Sequence, residues 1–136
     1  MNISLKNKTA LVCGSTAGIG KAAALGLASL GANVILLARN KEKLEAVKSE
    51  LSNEVNQSHS ICIADFSKPE ELRIEIEKLT STQNIHVLVN NTGGPPAGFI
   101  SKANTNEFLN AFNQHLICNH ILATSVIEGM KKEGYG

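Results

Sequence analysis

The sequence has little of what would mark it as anything but an ordinary globular chain. Only three of its 136 residues are proline, and 43% are apolar against 18% charged, which excludes a disordered, collagen-like or low-complexity polypeptide. Its three cysteines, Cys13, Cys62 and Cys118, are odd in number, far apart and set in apolar runs. Neither a disulfide framework nor a C-x-x-C motif can be drawn from them, and buried, reduced thiols of a cytoplasmic protein are expected. Thirteen Lys+Arg against twelve Asp+Glu leave a formal charge of +1, with no basic cluster beyond Lys131-Lys132, which speaks against nucleic acid and against acidic membranes as partners. No apolar stretch approaches the roughly 18 residues of a membrane span, and the amino terminus lacks the apolar core of a secretory signal.

What is present is alternation. Short continuous apolar runs over 9–13, 33–38, 60–64 and 85–89 suit strands covered on both faces. Between them lie helical patterns. Residues 19–30 are mostly Ala, Leu and Gly, with Gly31 placed to end a helix, and Leu44, Val47, Leu51 and Val55 mark an amphipathic helix over 41–55. Pro69 opens a third helix, continued by Leu72, Ile76 and Leu79. After a breaker-rich loop over 90–96, a long helix over 105–132 carries Phe108, Phe112, Leu116, Leu122, Val126 and Met130. Alternation without repeat or linker predicts one α/β domain over 1–136: a doubly wound parallel sheet with strands in the order 3-2-1-4. A ligand would sit beyond the carboxyl ends of the first and fourth strands, where residues 14–20 and 90–96 meet.

The turn over 14–20 has a glycine at its first, fifth and seventh positions. Gly14 allows a sharp turn, Gly18 allows backbone to approach a ligand phosphate, and Gly20 allows the helix to lie close to the strands. The helix start then offers unpaired N–H groups and about half a positive charge to an anion. The plainer reading is that these glycines only permit tight packing. No Gly-Lys-Ser/Thr follows, so the turn is not a P-loop.

Gly-x-x-x-Gly-x-Gly over 14–20, taken with Asn90-Asn-Thr-Gly93 after the fourth strand, resembles the short-chain dehydrogenase/reductase family over essentially the whole chain. The Gly93-Gly-Pro-Pro96 continuation is similar to its 3-oxoacyl-acyl-carrier-protein reductase-like members. The resemblance implies a Rossmann fold binding a nicotinamide dinucleotide. Ser15 or Thr16 would help hold the phosphates, and Ile19 would line the nicotinamide side. Asp65 would accept from the adenine amino group with Phe66 beside the ring, unless it merely caps the turn before Pro69. Asn91 and Gly93 would face the ribose, while Asn90 would bond backbone. After the second strand NAD calls for an acid to accept from the ribose 2′-hydroxyl, but this strand ends Ala38-Arg39-Asn40. A guanidinium pairs with a 2′-phosphate, so NADP(H) is expected and NAD disfavoured, the alternative being that Arg39 is an ordinary solvated charge.

The family's proton donor is a Tyr in Tyr-x-x-x-Lys, assisted by a Ser, all after a fifth strand. Here the one tyrosine is Tyr135, with a single residue after it, and it is expected to be a mobile terminal side chain. At the family's helical Asn position stands His115, either a proton relay or a packed, hydrogen-bonded side chain. Asn119 and His120 lie one turn on, and His59 and His86 flank strands, where surface positions are expected. Four scattered histidines without paired carboxylates make no metal site, and no Gly-x-Ser-x-Gly occurs. The expectation is the cofactor-binding front portion of an NADP(H)-dependent oxidoreductase of small-molecule carbonyls or alcohols, ending before the fifth strand and inactive by itself. Phe108, Phe112 and Leu116 would then lack cover, which favours a homo-oligomer. The alternative is a nucleotide-binding or interaction module with no redox step.

Overall fold

Every second residue of a strand points to the same face of its sheet, and this chain makes both faces apolar. In the computed structural model, which describes residues 3–136, the strands β1 (Thr9–Cys13), β2 (Asn33–Ala38), β3 (Ser60–Ile63) and β4 (Val87–Val89) pair in parallel in the order β3-β2-β1-β4. The register sets Ala10 against Val34 and Leu11 against Ile35. Ala10, Val12, Val34 and Leu36 therefore share one face, where α1 (Gly18–Ser29) covers them with Ala24 and Ala28, and α2 (Lys41–Glu50) with Leu44 and Val47. Leu11, Cys13, Ile35 and Leu37 face the other way, under Leu72 and Ile76 of α3 (Pro69–Thr82) and Cys118, Leu122 and Val126 of α5 (Cys118–Glu133). This is the doubly wound Rossmann arrangement expected from the alternation. No helix among the described residues is long and apolar enough to cross a membrane.

Two helices differ from the periodicity. The second stops at Glu50, because Leu51 turns to extended backbone while keeping its side chain buried. The loop that follows is fastened from inside by Gln57, whose Nε2 donates to Ala28 O at 2.7 Å and whose Oε1 accepts from Val55 N–H at 3.0 Å. The long helix is α4 (Thr105–Phe112), opened by a reciprocal Asn104/Glu107 cap, then one π turn over Asn113–Ile117, then α5. A π turn inserts a residue into the helical repeat and so rotates everything after it. Phe108, Leu109, Phe112 and Leu116 stand exposed before that rotation is complete, whereas Leu122 and Val126 are buried after it.

Three surface expectations are corrected. His59 and His86 each precede a strand by one residue and cap its neighbour. His59 Nδ1 accepts from Val34 N–H at 3.1 Å, and His86 Nδ1 accepts from Thr9 N–H at 3.0 Å. Near the amino ends of parallel strands these N–H groups lack a ladder partner, and a ring nitrogen supplies one. With Nδ1 accepting, His59 Nε2 carries the proton to Ser52 O at 2.8 Å. Tyr135 is docked rather than loose: its ring lies edge-on to His86 at 6.1 Å between centroids, with Lys8 Nζ 4.0 Å above it. The cation–π and edge contacts hold it, as does the bond from Tyr135 N–H to Met130 O.

Burial, reinforced by Lys8 and opposed by Glu133, holds the His86 imidazole below its ordinary value. A group whose folded value is depressed binds fewer protons folded than unfolded, so its stabilisation is complete above the ordinary histidine value and is lost as pH falls through the folded one. Melting temperatures recorded from pH 7.5 down to about 5 are expected to fall more steeply for the unaltered chain than for His86→Gln, which lacks the titrating ring but keeps an acceptor. Parallel slopes would remove His86 from this role.

Candidate functional site

The carboxyl ends of β1 and β4 meet where the strand order reverses. The chain leaves β1 through Gly14, whose φ of +57° favours glycine, and a Cβ there would stand 2.6 Å from Asn91 Nδ2. That amide donates to Cys13 O and Gly14 O, each at 3.3 Å, tying the end of β4 to the end of β1. The first turn of α1 packs on the same spot, and a Cβ at Gly20 would collide with the Gly14 carbonyl. The end of β1 and two glycines of the turn are thus fixed by one side chain from 70-odd positions away.

The helix so placed is left open at its start. Its cap position, Ala17, offers no side-chain bond and its first turn holds no acid, whereas Asn40 caps α2 and Asn104 with Glu107 caps α4. The first N–H groups of α1 therefore keep their hydrogen-bonding capacity and their partial positive charge for something outside the protein. They border a cleft of about 530 Å³, lined by Gly14 and Thr16–Gly18 from the turn, Ala38–Asn40 and Lys43 from β2 and α2, Ala64–Phe66 after β3, and Asn91–Gly94 with Gln114 on the far side. A Cβ at Gly18, Gly93 or Gly94 would meet nothing within 4 Å, so open room lies beside bare backbone at three points.

The structure brings Gly14, Thr16, Gly18, Arg39, Asp65, Phe66, Asn91 and Gly93 into this one cleft. Others of the sequence candidates lie outside its lining. Ser15 is fully buried and its Oγ donates inward to Leu37 O at 3.4 Å, so of the Ser15/Thr16 pair only Thr16 reaches the cleft. Ile19 stands largely in solvent, and Gly20 serves the close approach described above. Asn91, not the exposed Asn90, is the residue that binds backbone, and its amide hydrogens point at β1. His115 lies on the π turn with a buried Nε2 that has no partner, and Asn119 Nδ2 donates to His115 O at 2.6 Å. Lys43 and Gln114 were not legible as site residues. Lys43 could have been noticed as a cation in a helix's first turn, where acids are the rule, while Gln114 is brought round by a π turn that no periodicity announces.

Asp65 is the acid of the cleft. Burial alone would raise its carboxyl, but the Ser67 N–H at 2.8 Å, the Ser67 hydroxyl, Arg39 and Lys68 outweigh it and hold the group below its ordinary value. The floor is inert. Burial pushes the Cys13 thiol up to about 12 and the Cys62 thiol up to about 11, and Cys118 Sγ donates to Phe66 O at 3.3 Å. Among the described residues no group of three or more His, Cys, Asp or Glu is placed to hold a metal ion.

Residues 8–136 match the family described as short chain dehydrogenase. A human protein named inactive hydroxysteroid dehydrogenase-like protein 1 is 32% identical over 129 residues, which is 93% of this chain and 39% of that protein. Two solved structures superpose closely. L-sorbose reductase from Gluconobacter frateurii, in complex with NADPH and L-sorbose, has a TM-score of 0.88 at 27% identity over 98% of this chain and 51% of its own. A 3-oxoacyl (acyl-carrier-protein) reductase from Agrobacterium tumefaciens C58 with NADP bound has a TM-score of 0.88 at 26% identity, over the same shares. The chain thus spans about two fifths of the curated relative and about half of each solved chain.

The packing at the turn gives two alanine substitutions of opposite sign on one helix. Gly20→Ala must displace the Gly14 carbonyl or the Asn91 amide and is expected to cost about 1–3 kcal/mol, an effect of overpacking. Gly26→Ala meets nothing within 4 Å in the middle of α1 and is expected to add about 0.5–1 kcal/mol by removing backbone freedom from the unfolded chain. Denaturant midpoints of the two variants, shifted to either side of the unaltered chain, check this; a neutral Gly20→Ala would show that the turn has slack.

Proposed function

The chain belongs to the short chain dehydrogenase family, and from that premise we propose that it is the NADP(H)-binding portion of an oxidoreductase acting on a small-molecule carbonyl or alcohol. The observation that carries this is the cleft itself: an uncapped helix start beside three bare glycines, with Arg39 rather than an acid at the end of β2. Those features fit a dinucleotide. The α1 N–H groups and Thr16 would hold the diphosphate, Asp65 and Phe66 the adenine, and Gly93 the ribose beside it. Arg39 would select the 2′-phosphate, since two forked N–H donors match its oxygens and an acid would repel them. When bound, the cofactor supplies or takes a hydride. The chain's own part is to bind and orient it. The NADPH and NADP named with the two structural relatives agree with this choice.

A second reading is a nucleotide-binding module without a redox step. It is favoured by the word inactive in the human relative's name. On either reading we propose a cytoplasmic protein that associates with itself through the exposed side chains of Phe108, Leu109, Phe112 and Leu116.

Added at equal concentration, NADPH is expected to raise the melting temperature more than NADH, because a ligand bound only by the folded state stabilises it in proportion to the logarithm of its occupancy. Arg39→Asp should shrink or reverse the gap. Equal shifts from the two nucleotides would take the selecting role away from Arg39. Light scattering is expected to show dimers or larger species that Phe112→Asp disperses; a monomer at all concentrations would refute self-association through this face.

A further inference from the structure

We infer that His86 is the pivot of a proton-driven latch: its neutral ring holds Tyr135 docked at the amino end of the sheet, and protonation of that ring lets Tyr135 go. The latch lies at the opposite end of the strands from the cleft and uses none of the cleft's residues.

The neutral ring does something the charged ring cannot. Thr9 N–H donates to His86 Nδ1 at 3.0 Å, so that nitrogen must carry a lone pair. A proton placed on Nδ1 turns the acceptor into a donor, and two N–H groups then face each other. The ring has to leave. The strand need not follow it, because His86 N–H donates separately to Thr9 O at 2.8 Å and β4 keeps its own pairing with β1 through Ala10, Leu11 and Val12. One half of this reciprocal pair responds to pH, and the other does not.

Tyr135 rests on the responsive half. Its ring stands edge-on to His86, 6.1 Å between centroids and 63° between planes, with Lys8 Nζ 4.0 Å from its centre. When His86 is charged and turns away, the edge contact is lost, and the imidazolium and the Lys8 ammonium repel each other across the phenol they had clasped. The backbone there can give. Gly134 ends α5 in the left-handed conformation at φ +63°, and Gly136 follows Tyr135, so the ring is flanked by glycines on both sides. Asn84 Nδ2 meanwhile donates to Glu133 Oε1 at 2.7 Å and fastens the end of α5, which confines the movement to residues 134–136. Those three residues line a groove of about 660 Å³ beside β4, together with Val87, Leu88, Ile127 and Met130. Their release opens it.

The titratable groups that face the ring are Lys8 beside β1, Glu133 on α5 and Tyr135 after it. Burial and Lys8 disfavour the imidazolium and Glu133 favours it, so the ring takes up its proton below the ordinary histidine value. The latch is therefore closed above that value and opens as pH falls through the folded one.

Tyr135 is the one tyrosine of a chain without tryptophan, so its signals are unshared. Ring proton resonances of Tyr135 and of His86, followed by nuclear magnetic resonance on the whole chain from pH 7.5 to about 5, test the latch. The expected result is a shared, reversible one-proton midpoint below the ordinary histidine value. There the Tyr135 resonances move to those of a free tyrosine, while far-ultraviolet circular dichroism stays unchanged. His86→Gln keeps an acceptor for Thr9 N–H and is expected to hold Tyr135 docked throughout. Lys8→Gln should move the midpoint up, and Glu133→Gln should move it down. A Tyr135 signal that stays constant in the unaltered chain, or that titrates at a different pH from His86, overturns the latch, as does a transition that persists in His86→Gln.

Discussion

The side-chain amide of Asn91 is the tie on which the site depends. Two parallel strands end side by side where the sheet reverses its order, and the Asn91 amide, just past β4, donates to Cys13 O and Gly14 O at the end of β1. One amide satisfies both. An unpaired buried carbonyl costs on the order of 1–3 kcal/mol, so the bond also fixes where the turn after β1 can lie. Around it the two glycines have no alternative, because Asn91 and Gly14 leave no volume for a side chain at either position. The helix start is thereby held at the mouth of the cleft, aimed by contacts behind it and unpaired in front.

The fold was largely legible because its signals are local. Continuous apolar runs and a helical period between them suffice for the alternation, and alternation with right-handed crossovers leaves few sheet orders. Most of the cleft was legible for the same reason, since strand ends are easily found. What escaped was set by contacts distant in sequence. Ser15 and Thr16 are equivalent as text, and only the packing of β1 against β2 turns one hydroxyl toward Leu37 O and leaves the other at the cleft. His59 and His86 read as polar residues at strand edges, yet each completes a strand belonging to another part of the chain. Tyr135 reads as a frayed end, and its anchors, Lys8 and His86, are far from it in sequence.

The π turn is a different kind of omission. A continuous helix over 105–132 would carry a single apolar stripe on one side. The extra residue splits the stripe, so that Leu122 and Val126 pack under the sheet while Phe108, Leu109 and Phe112 do not. The same turn leaves His115 Nε2 and Asn119 Oδ1 buried without partners, and lets Asn119 bond the His115 carbonyl. π turns are strained and concentrate at functional sites, and this one delivers Gln114 to the cleft. The helix therefore gives up regular hydrogen bonding in order to reach both the core and the cleft.

On the proposed dinucleotide reading, affinity and choice come from different parts of the cleft. The α1 N–H groups and the bare glycines are backbone, nearly blind to what lies beyond a diphosphate, and any ligand with that group gains from them. Discrimination must then come from side chains on the far rim, at the end of β2 and the start of α2, where the chain is exposed and free to vary without disturbing the core. A substitution there changes the charge met by the ligand and little else, whereas one at Gly14 or Gly20 changes the fold. The separation follows from packing: the glycine turn is locked against Asn91 and the end of β1 at Gly14 and Gly20, whereas the Arg39 side chain on the far rim is exposed and takes no part in the core.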